Sequence, residues 1–196
     1  MEETAIRETA KKRAFTTKEL TFTALMAVLL IVCSWINIPT PWNVSFTLQT
    51  FAVFFSLVLL GGKCGTFSVL TFLLLGAFGL PVFSQFKGGV GALFGLTGGY
   101  ILGFVLTALI YWLAELIPAK GAARIVRNIA AMLVGLAACY VFGTLWFMHV
   151  YALDDKVISF KGALALCVVP YIAFDLVKLA LAVLLGERLR KHINLK

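Results

Sequence analysis

Pro170-Tyr-Ile-Ala-Phe-Asp-Leu-Val-Lys178 lies inside the last long apolar run of the chain, Gly162 to Leu185, and carries that run's two charged side chains, Asp175 and Lys178. Three residues apart, the two share one face of a helix. A charge at bilayer depth is expensive, and by default it marks a functional site with a partner. Two readings follow. One is a structural ion pair in which each group neutralises the other; the second is a polar floor for a ligand. The membrane argument favours the second.

Outward from this stretch, the chain reads as a membrane protein. Its 196 residues are 61% hydrophobic and 13% charged, whereas a soluble domain is nearer half apolar and a quarter charged. Backbone exposed to lipid must satisfy its own hydrogen bonds. The apolar runs lack the period-2 alternation of a barrel, so the expected class is an all-α integral membrane protein. Before the last run come Leu20 to Ile36, Val44 to Leu60, Thr66 to Leu80, Gly98 to Ile117 and Asn128 to Val150. The expected organisation is a polar lead-in (1–19), a single six-helix domain (20–186) and a basic tail (187–196). The first apolar run is too long for the h-region of a cleaved signal.

The breaks between runs have identifiable causes. Pro39 and Pro41 interrupt the helix after the first span, with Trp35 and Trp42 placed as an interfacial aromatic belt. Gly61-Gly-Lys-Cys-Gly65 reads as a tight turn, Pro118 to Arg127 as a basic connector, and Tyr151 to Lys161 as a polar loop. Between the third and fourth spans lies a glycine-rich stretch. Gly88 to Gly91 supply loop geometry there, and Gly95-x-x-x-Gly99-x-x-x-Gly103 supplies close helix packing. Lys and Arg segregate by side. The lead-in, the turn, the connector and the tail hold thirteen of them, and the alternate loops hold Lys87, Lys156 and Lys161. This asymmetry places both termini in the cytoplasm and makes the +8 net charge a topology signal, not a nucleic-acid footprint.

Soluble signatures fail on inspection. A Walker A loop ending at Gly62-Lys63 needs glycine where Leu57 stands, and Gly89-x-Gly91 would need glycine where Phe94 stands. Cys33, Cys64, Cys139 and Cys167 occur singly in or beside apolar runs, and core packing suits them better than metal or disulfide chemistry. Neither His149 nor His192 has a metal-ligand companion nearby. The paired broken helices of secondary transporters leave no trace of internal repetition here.

Five segments, in order and at these spacings, carry a resemblance. They are Val44-Ser-Phe-Thr-Leu-Gln49, Gly79-Leu-Pro-Val-Phe83, Thr97-Gly-Gly-Tyr100, Gly143-Thr-Leu-Trp146, and Pro170 with Asp175 and Lys178. From about Leu20 onward the chain resembles the BioY family, the biotin-specific S components of energy-coupling factor (ECF) transporters. It departs from the family pattern at Ser45 and Leu96, where proline is usual. The resemblance implies an S-component-like bundle of six transmembrane helices in the plasma membrane that binds biotin without being an enzyme or holding a cofactor. It further implies a pocket open to the outside and capped by the loops after the first and third spans. The partners it implies are a transmembrane coupling subunit and two cytoplasmic ATPases, since this chain has no P-loop of its own.

Asp175, Lys178, Gln49 and Thr47 would supply polar contacts to biotin, Phe83, Phe86 and Tyr100 the walls, and Gly89 of the loop is expected among the substrate-binding residues. Thr23-x-x-x-Ala27 would face the coupling subunit. Helix capping by Thr47 and Gln49 and a membrane-interface position for Tyr100 are the plainer roles. The alternatives are an S component for riboflavin or thiamine and, from another class, an intramembrane enzyme or a scaffold.

Overall fold

The computed structural model describes residues 15–38, 45–153 and 158–192. Pro39, Pro41 and Trp42, most of the lead-in, the acidic pair Asp154-Asp155, Lys156 and Lys196 lie outside the described residues. The chain is mostly helical. Helix α1 spans Thr17–Trp35 and is followed by β1, Asn37–Ile38, and β2, Phe46–Thr47. Next come α2, Gln49–Leu60, and α3, Gly62–Ala77. A long loop then contains a 3-10 turn, Ser84–Phe86, and a single turn α4, Val90–Leu93. The rest is α5, Gly98–Glu115, α6, Gly121–Leu153, α7, Phe160–Cys167, and α8, Val169–Arg190. Among the described residues four helices, α1, α5, α6 and α8, are long and apolar enough to cross a membrane. Helices α2 and α3 are apolar but shorter; the 12 residues of α2 rise only about 18 Å.

Local chemistry accounts for where the elements begin and end. Helix α1 opens on a capping box: Glu19 N–H donates to Thr16 Oγ1 at 3.2 Å, and Thr16 N–H donates to Glu19 Oε2 at 2.7 Å. Each bond satisfies a donor that the first turn leaves orphaned. The second span begins later than the hydropathy suggests. Ser45 to Thr47 are not its first helical turn, because β2 pairs antiparallel with β1, Asn37 opposite Thr47 and Ile38 opposite Phe46. The turn between α2 and α3 is confined to Gly61, whose φ of +83° suits glycine, and Gly62 to Gly65 are already helical.

Arg124 and Arg127 sit in α6 instead of a connector, and α8 continues past residue 186 to Arg190. The last apolar run is two helices, not one. Pro170 has no N–H to donate to Leu166, so the ladder cannot continue through it, and Val168 (φ −125°, ψ −54°) takes up the break.

Packing is tightest between α5 and α6. Gly103 faces Cys139, and Gly135 on the facing helix meets Thr107. A Cβ at Gly103 would overlap the Cys139 thiol, so glycine is what lets the helices approach. The glycine spacing read as packing is therefore packing at Gly99 and Gly103, while Gly95 stands before the helix. Tyr111, Phe54, Phe72, Leu30, Leu57 and Met132 fill the core together with Cys33, Cys64 and Cys139, and Cys167 is buried in a smaller cluster with Phe147, Ala163 and Val168.

At the end of the bundle away from the long loop, charged groups link helices that are not neighbours in sequence, α6 to α8, α8 to α2 and α5 to α3. Arg124 pairs with Glu187 at 2.6 Å. Arg190 donates to the Val58 carbonyl at 3.2 Å, and Gly62 N–H donates to Glu115 at 2.5 Å.

Two substitutions test this packing. Gly103→Val forces bulk into the α5–α6 contact and should destabilise the protein by about 1–3 kcal/mol. Gly91→Ala meets open space and should stay within about 0.5 kcal/mol of the parent. Thermal unfolding in detergent checks both.

Candidate functional site

A cavity of about 140 Å³ lies at the loop end of the bundle. Its apolar wall is Ile101, Phe104 and Leu136, and its floor is polar. Asp175 is 4% exposed. Lys178 Nζ donates to Asp175 Oδ1 at 2.8 Å, to the Thr47 carbonyl at 2.7 Å and to Thr50 Oγ1 at 3.2 Å. An ammonium has three N–H groups, so all three are engaged.

Thr50 Oγ1 donates to Asp175 Oδ1 at 2.8 Å, and Tyr140 Oη donates to Asp175 Oδ2 at 2.5 Å. A buried ion pair is tolerated when further hydrogen bonds satisfy its remaining lone pairs and protons, and α2 and α6 supply them. The pair on one helix face is thus a four-residue network on three helices. Pro170 sets its position, since restarting the helix there lets α8 run unbroken through Asp175 and Lys178.

The other polar residues converge on the same cavity. Thr47 and Gln49 line it. Thr47 Oγ1 donates to Gln49 Oε1 at 3.2 Å, and Gln49 Nε2 is buried without a partner among the described residues. Thr47 Oγ1 also accepts from the Gln49 N–H at 3.4 Å, a helix-start contact that gives the Thr47 hydroxyl a local role but not the Gln49 amide.

Tyr100 forms a side wall. Gly143 leaves room for its ring, Thr144 shares a hydrogen bond with its hydroxyl at 3.1 Å, and Trp146 donates to the Gly95 carbonyl at 3.1 Å. The motif Gly143-Thr-Leu-Trp146 is therefore a bracket that holds Tyr100 and the end of the long loop.

That loop closes the cavity and is fastened to α1 and to the end of α3. Trp35 Nε1 donates to the Pro81 carbonyl at 2.8 Å, Ser34 donates to the Val82 carbonyl, and Gly89 N–H donates to the Gly76 carbonyl at 2.7 Å. Gln85 and Phe86 have φ of +61° and +57°, a conformation that costs a non-glycine residue roughly 1–2 kcal/mol. The turn aims Gln85 at the cavity, where its Nε2 donates to Ser45 Oγ at 3.2 Å and joins the two loops.

Phe83 lines the cavity and is 1% exposed. Phe86, expected as a wall, is not in the lining. It is 63% exposed and packs its ring 5.1 Å from that of Trp35, because the left-handed turn swings it outward. Gly89 is absent from the lining too; at φ +86° it shapes the loop.

Thr23 and Ala27, expected to face a partner, point inward at 7% and 2% exposure. The exposed stripe of α1 runs through Leu25, Val28 and Val32 instead.

Sequence reasoning passed over Thr50, Tyr140, Gln85 and Lys87, all of which line the cavity. Thr50 and Tyr140 had one available signal, a hydroxyl within an apolar run that could reach a buried charge. Gln85 and Lys87 had none beyond their place in a loop.

Fold and site together define an α-helical membrane protein enclosing a small, polar-floored cavity. The sequence profile of the BioY family matches residues 7–195. The biotin transporter BioY of Thermotoga maritima is 40% identical over 174 residues, covering 89% of this chain and 96% of that protein. The probable biotin transporter BioY of Pyrococcus horikoshii is 35% identical over 176 residues, covering 88% and 96%. A crystal structure of the S component for biotin from an ECF-type ABC transporter superposes with a TM-score of 0.74 at 29% identity, covering 93% of this chain and 97% of that one. The chain belongs to the BioY family.

The two phenylalanines of the loop should separate cleanly. Phe83→Ala empties a buried site and should cost about 3–5 kcal/mol of stability. Phe86→Ala removes an exposed ring and should cost less than about 1 kcal/mol. Denaturation in mixed micelles measures the difference.

Proposed function

We propose that this chain captures biotin as the substrate-binding subunit of an ECF-type uptake transporter and is not itself an enzyme. The observation that carries the reading is the cavity floored by Asp175 and Lys178, in a chain whose BioY relatives are named biotin transporters. Biotin has a planar ureido head, a thiolane ring and a carboxylate tail. A mostly apolar pocket with a few convergent polar groups suits such a molecule.

In this reading the ureido head lies on the floor. The Asp175 carboxylate accepts from a ureido N–H. The carbonyl takes a donor from Lys178, in exchange for one of its present partners, or from the unpartnered Gln49 Nε2. Tyr100 and Phe83 enclose the rings. The tail points to the mouth, where Lys87 supplies a cation. Because Asp175 and Lys178 neutralise each other, the floor of the pocket holds no net charge to attract a bare ion into the membrane.

The membrane arrangement belongs to the same proposal. The four spanning helices, with α2 and α3 as shorter apolar members, make six spans, both termini lie in the cytoplasm, and the pocket opens outward in the plasma membrane. The basic residues support this, since Arg124, Arg127 and Arg190 lie at the end of the bundle opposite Lys87 and the cavity. Transport energy comes from partners, a transmembrane coupling subunit and two cytoplasmic ATPases. The inward placement of Thr23 and Ala27 moves the α1 contact to the stripe through Leu25 and Val28.

Removing one member of the floor pair strands the other, at about 2–5 kcal/mol, or roughly 30- to several-thousand-fold in affinity. Asp175→Asn and Lys178→Met should both show that loss in biotin titrations. Esterifying the biotin carboxylate should cost a similar factor in the parent and in Lys178→Met, because the tail is read at the mouth. If the ester penalty vanishes in Lys178→Met, Lys178 reads the carboxylate and the ligand lies the other way round.

Topology has its own test. A cysteine at Lys87 should react with an impermeant reagent added to intact cells, and one at Lys120 should not. Labelling at Lys120 would contradict the orientation.

A further inference from the structure

The hydroxyl of Tyr140 bears on which head group the pocket accepts. An ionised carboxylate has roughly four acceptor sites and no donor. Among the described residues, Asp175 uses three of them: Thr50 and Lys178 bond to Oδ1, and Tyr140 bonds to Oδ2. The remaining site is on Oδ2, beside Tyr140. The single phenolic proton points at Asp175, so toward the cavity Tyr140 offers only a lone pair. Two acceptors, Asp175 Oδ2 and Tyr140 Oη, therefore stand side by side, 2.5 Å apart, on the cavity wall. The charge of Asp175 is already balanced by Lys178, whose three donors are all engaged.

We propose that Tyr140 is a specificity-determining residue. It fixes the head-group end of the pocket as an electrically balanced pair of acceptors, which selects an uncharged head carrying N–H donors and rejects a cationic head of the same shape. The proposal rests on the biotin reading above and adds to it the residue that sets polarity.

The physical argument concerns how the carboxylate's charge is dispersed. With Tyr140 donating to Oδ2 and Thr50 to Oδ1, little of that charge is left for a cation, while the Lys178 ammonium repels one. Removing the Tyr140 hydroxyl takes an acceptor from a ureido head. It also bares Oδ2, whose undispersed charge attracts a cationic head by Coulomb force in addition to the hydrogen bond that either head can donate. A cationic head should gain relative to a neutral one. Loss of packing alone would weaken both equally.

The test uses the full chain in detergent micelles and two ligands. One is biotin, and the other is its analogue with the ureido oxygen replaced by an imino group, which carries a positive charge at neutral pH. Titration calorimetry gives the affinity ratio between them. Tyr140→Phe should bind biotin about tenfold or more weakly than the parent, and its preference for biotin over the cationic analogue should shrink by about tenfold or more.

Thr50→Val removes the other hydroxyl donor to Asp175 with little change of shape. It should shift the ratio in the same direction, and it carries the test if Tyr140→Phe does not fold. Equal weakening of both ligands, or an unchanged ratio, overturns the assignment and leaves Tyr140 as packing. A parent that fails to bind biotin overturns the biotin reading itself, a result visible before any variant is made.

Discussion

A carboxylate and an ammonium, three residues apart on one helix inside an apolar bundle, set the terms for the rest of this structure. Each charge would be costly alone at this depth, and even together they need further hydrogen bonds from their surroundings. Helix α2 brings Thr50, α6 brings Tyr140, and β2 brings the Thr47 carbonyl. The network thus ties three helices and the first loop to one point. The cavity forms above that point because its side walls, Ile101, Phe104, Leu136 and Tyr100, come from α5 and α6, held together by glycines.

The loops over the cavity are built with the same economy. The hairpin of β1 and β2 fixes Thr47 as an acceptor for Lys178 and seats Phe46 against Tyr171 and Phe174 of α8, with ring centroids 4.4 and 4.8 Å apart. The long loop is fastened to α1 through Trp35 and Ser34 and meets the first loop through Gln85 and Ser45. Two consecutive residues in left-handed conformation sit at that meeting point. Local strain of this kind persists only where the surroundings over-determine it, and it clusters at ligand clamps.

Much of this was legible in the residues themselves. Asp175 and Lys178 stood out because charge within an apolar run is rare, and the helices followed from hydropathy. The resemblance to the BioY family located Thr47, Gln49, Phe83 and Tyr100, all of which line the cavity. What escaped the reading has a physical pattern. Thr50 and Tyr140 matter through contacts 125 and 35 residues away in sequence, and a lone hydroxyl in an apolar run does not announce its partner. The late start of α2 was hidden because Val44 to Thr47 runs straight into the apolar span in sequence, while the pairing of Phe46 and Thr47 with β1 is tertiary. Phe86 was misplaced because nothing in Ser84-Gln-Phe-Lys87 signals a left-handed turn without glycine. Thr23 and Ala27 were assigned outward on resemblance, although small residues pack equally well against a chain's own helices, and here they do.

The claim that Asp175 and its partners form the floor of a biotin pocket meets its most direct test in the small molecules that accompany the purified protein. The chain would be expressed in cells supplied with biotin, purified in detergent and denatured, and the released fraction identified by mass spectrometry. The account predicts biotin in near-stoichiometric amount from the parent and a loss of most of it from Asp175→Asn. Release of a different vitamin, or equal biotin from parent and variant, would contradict it.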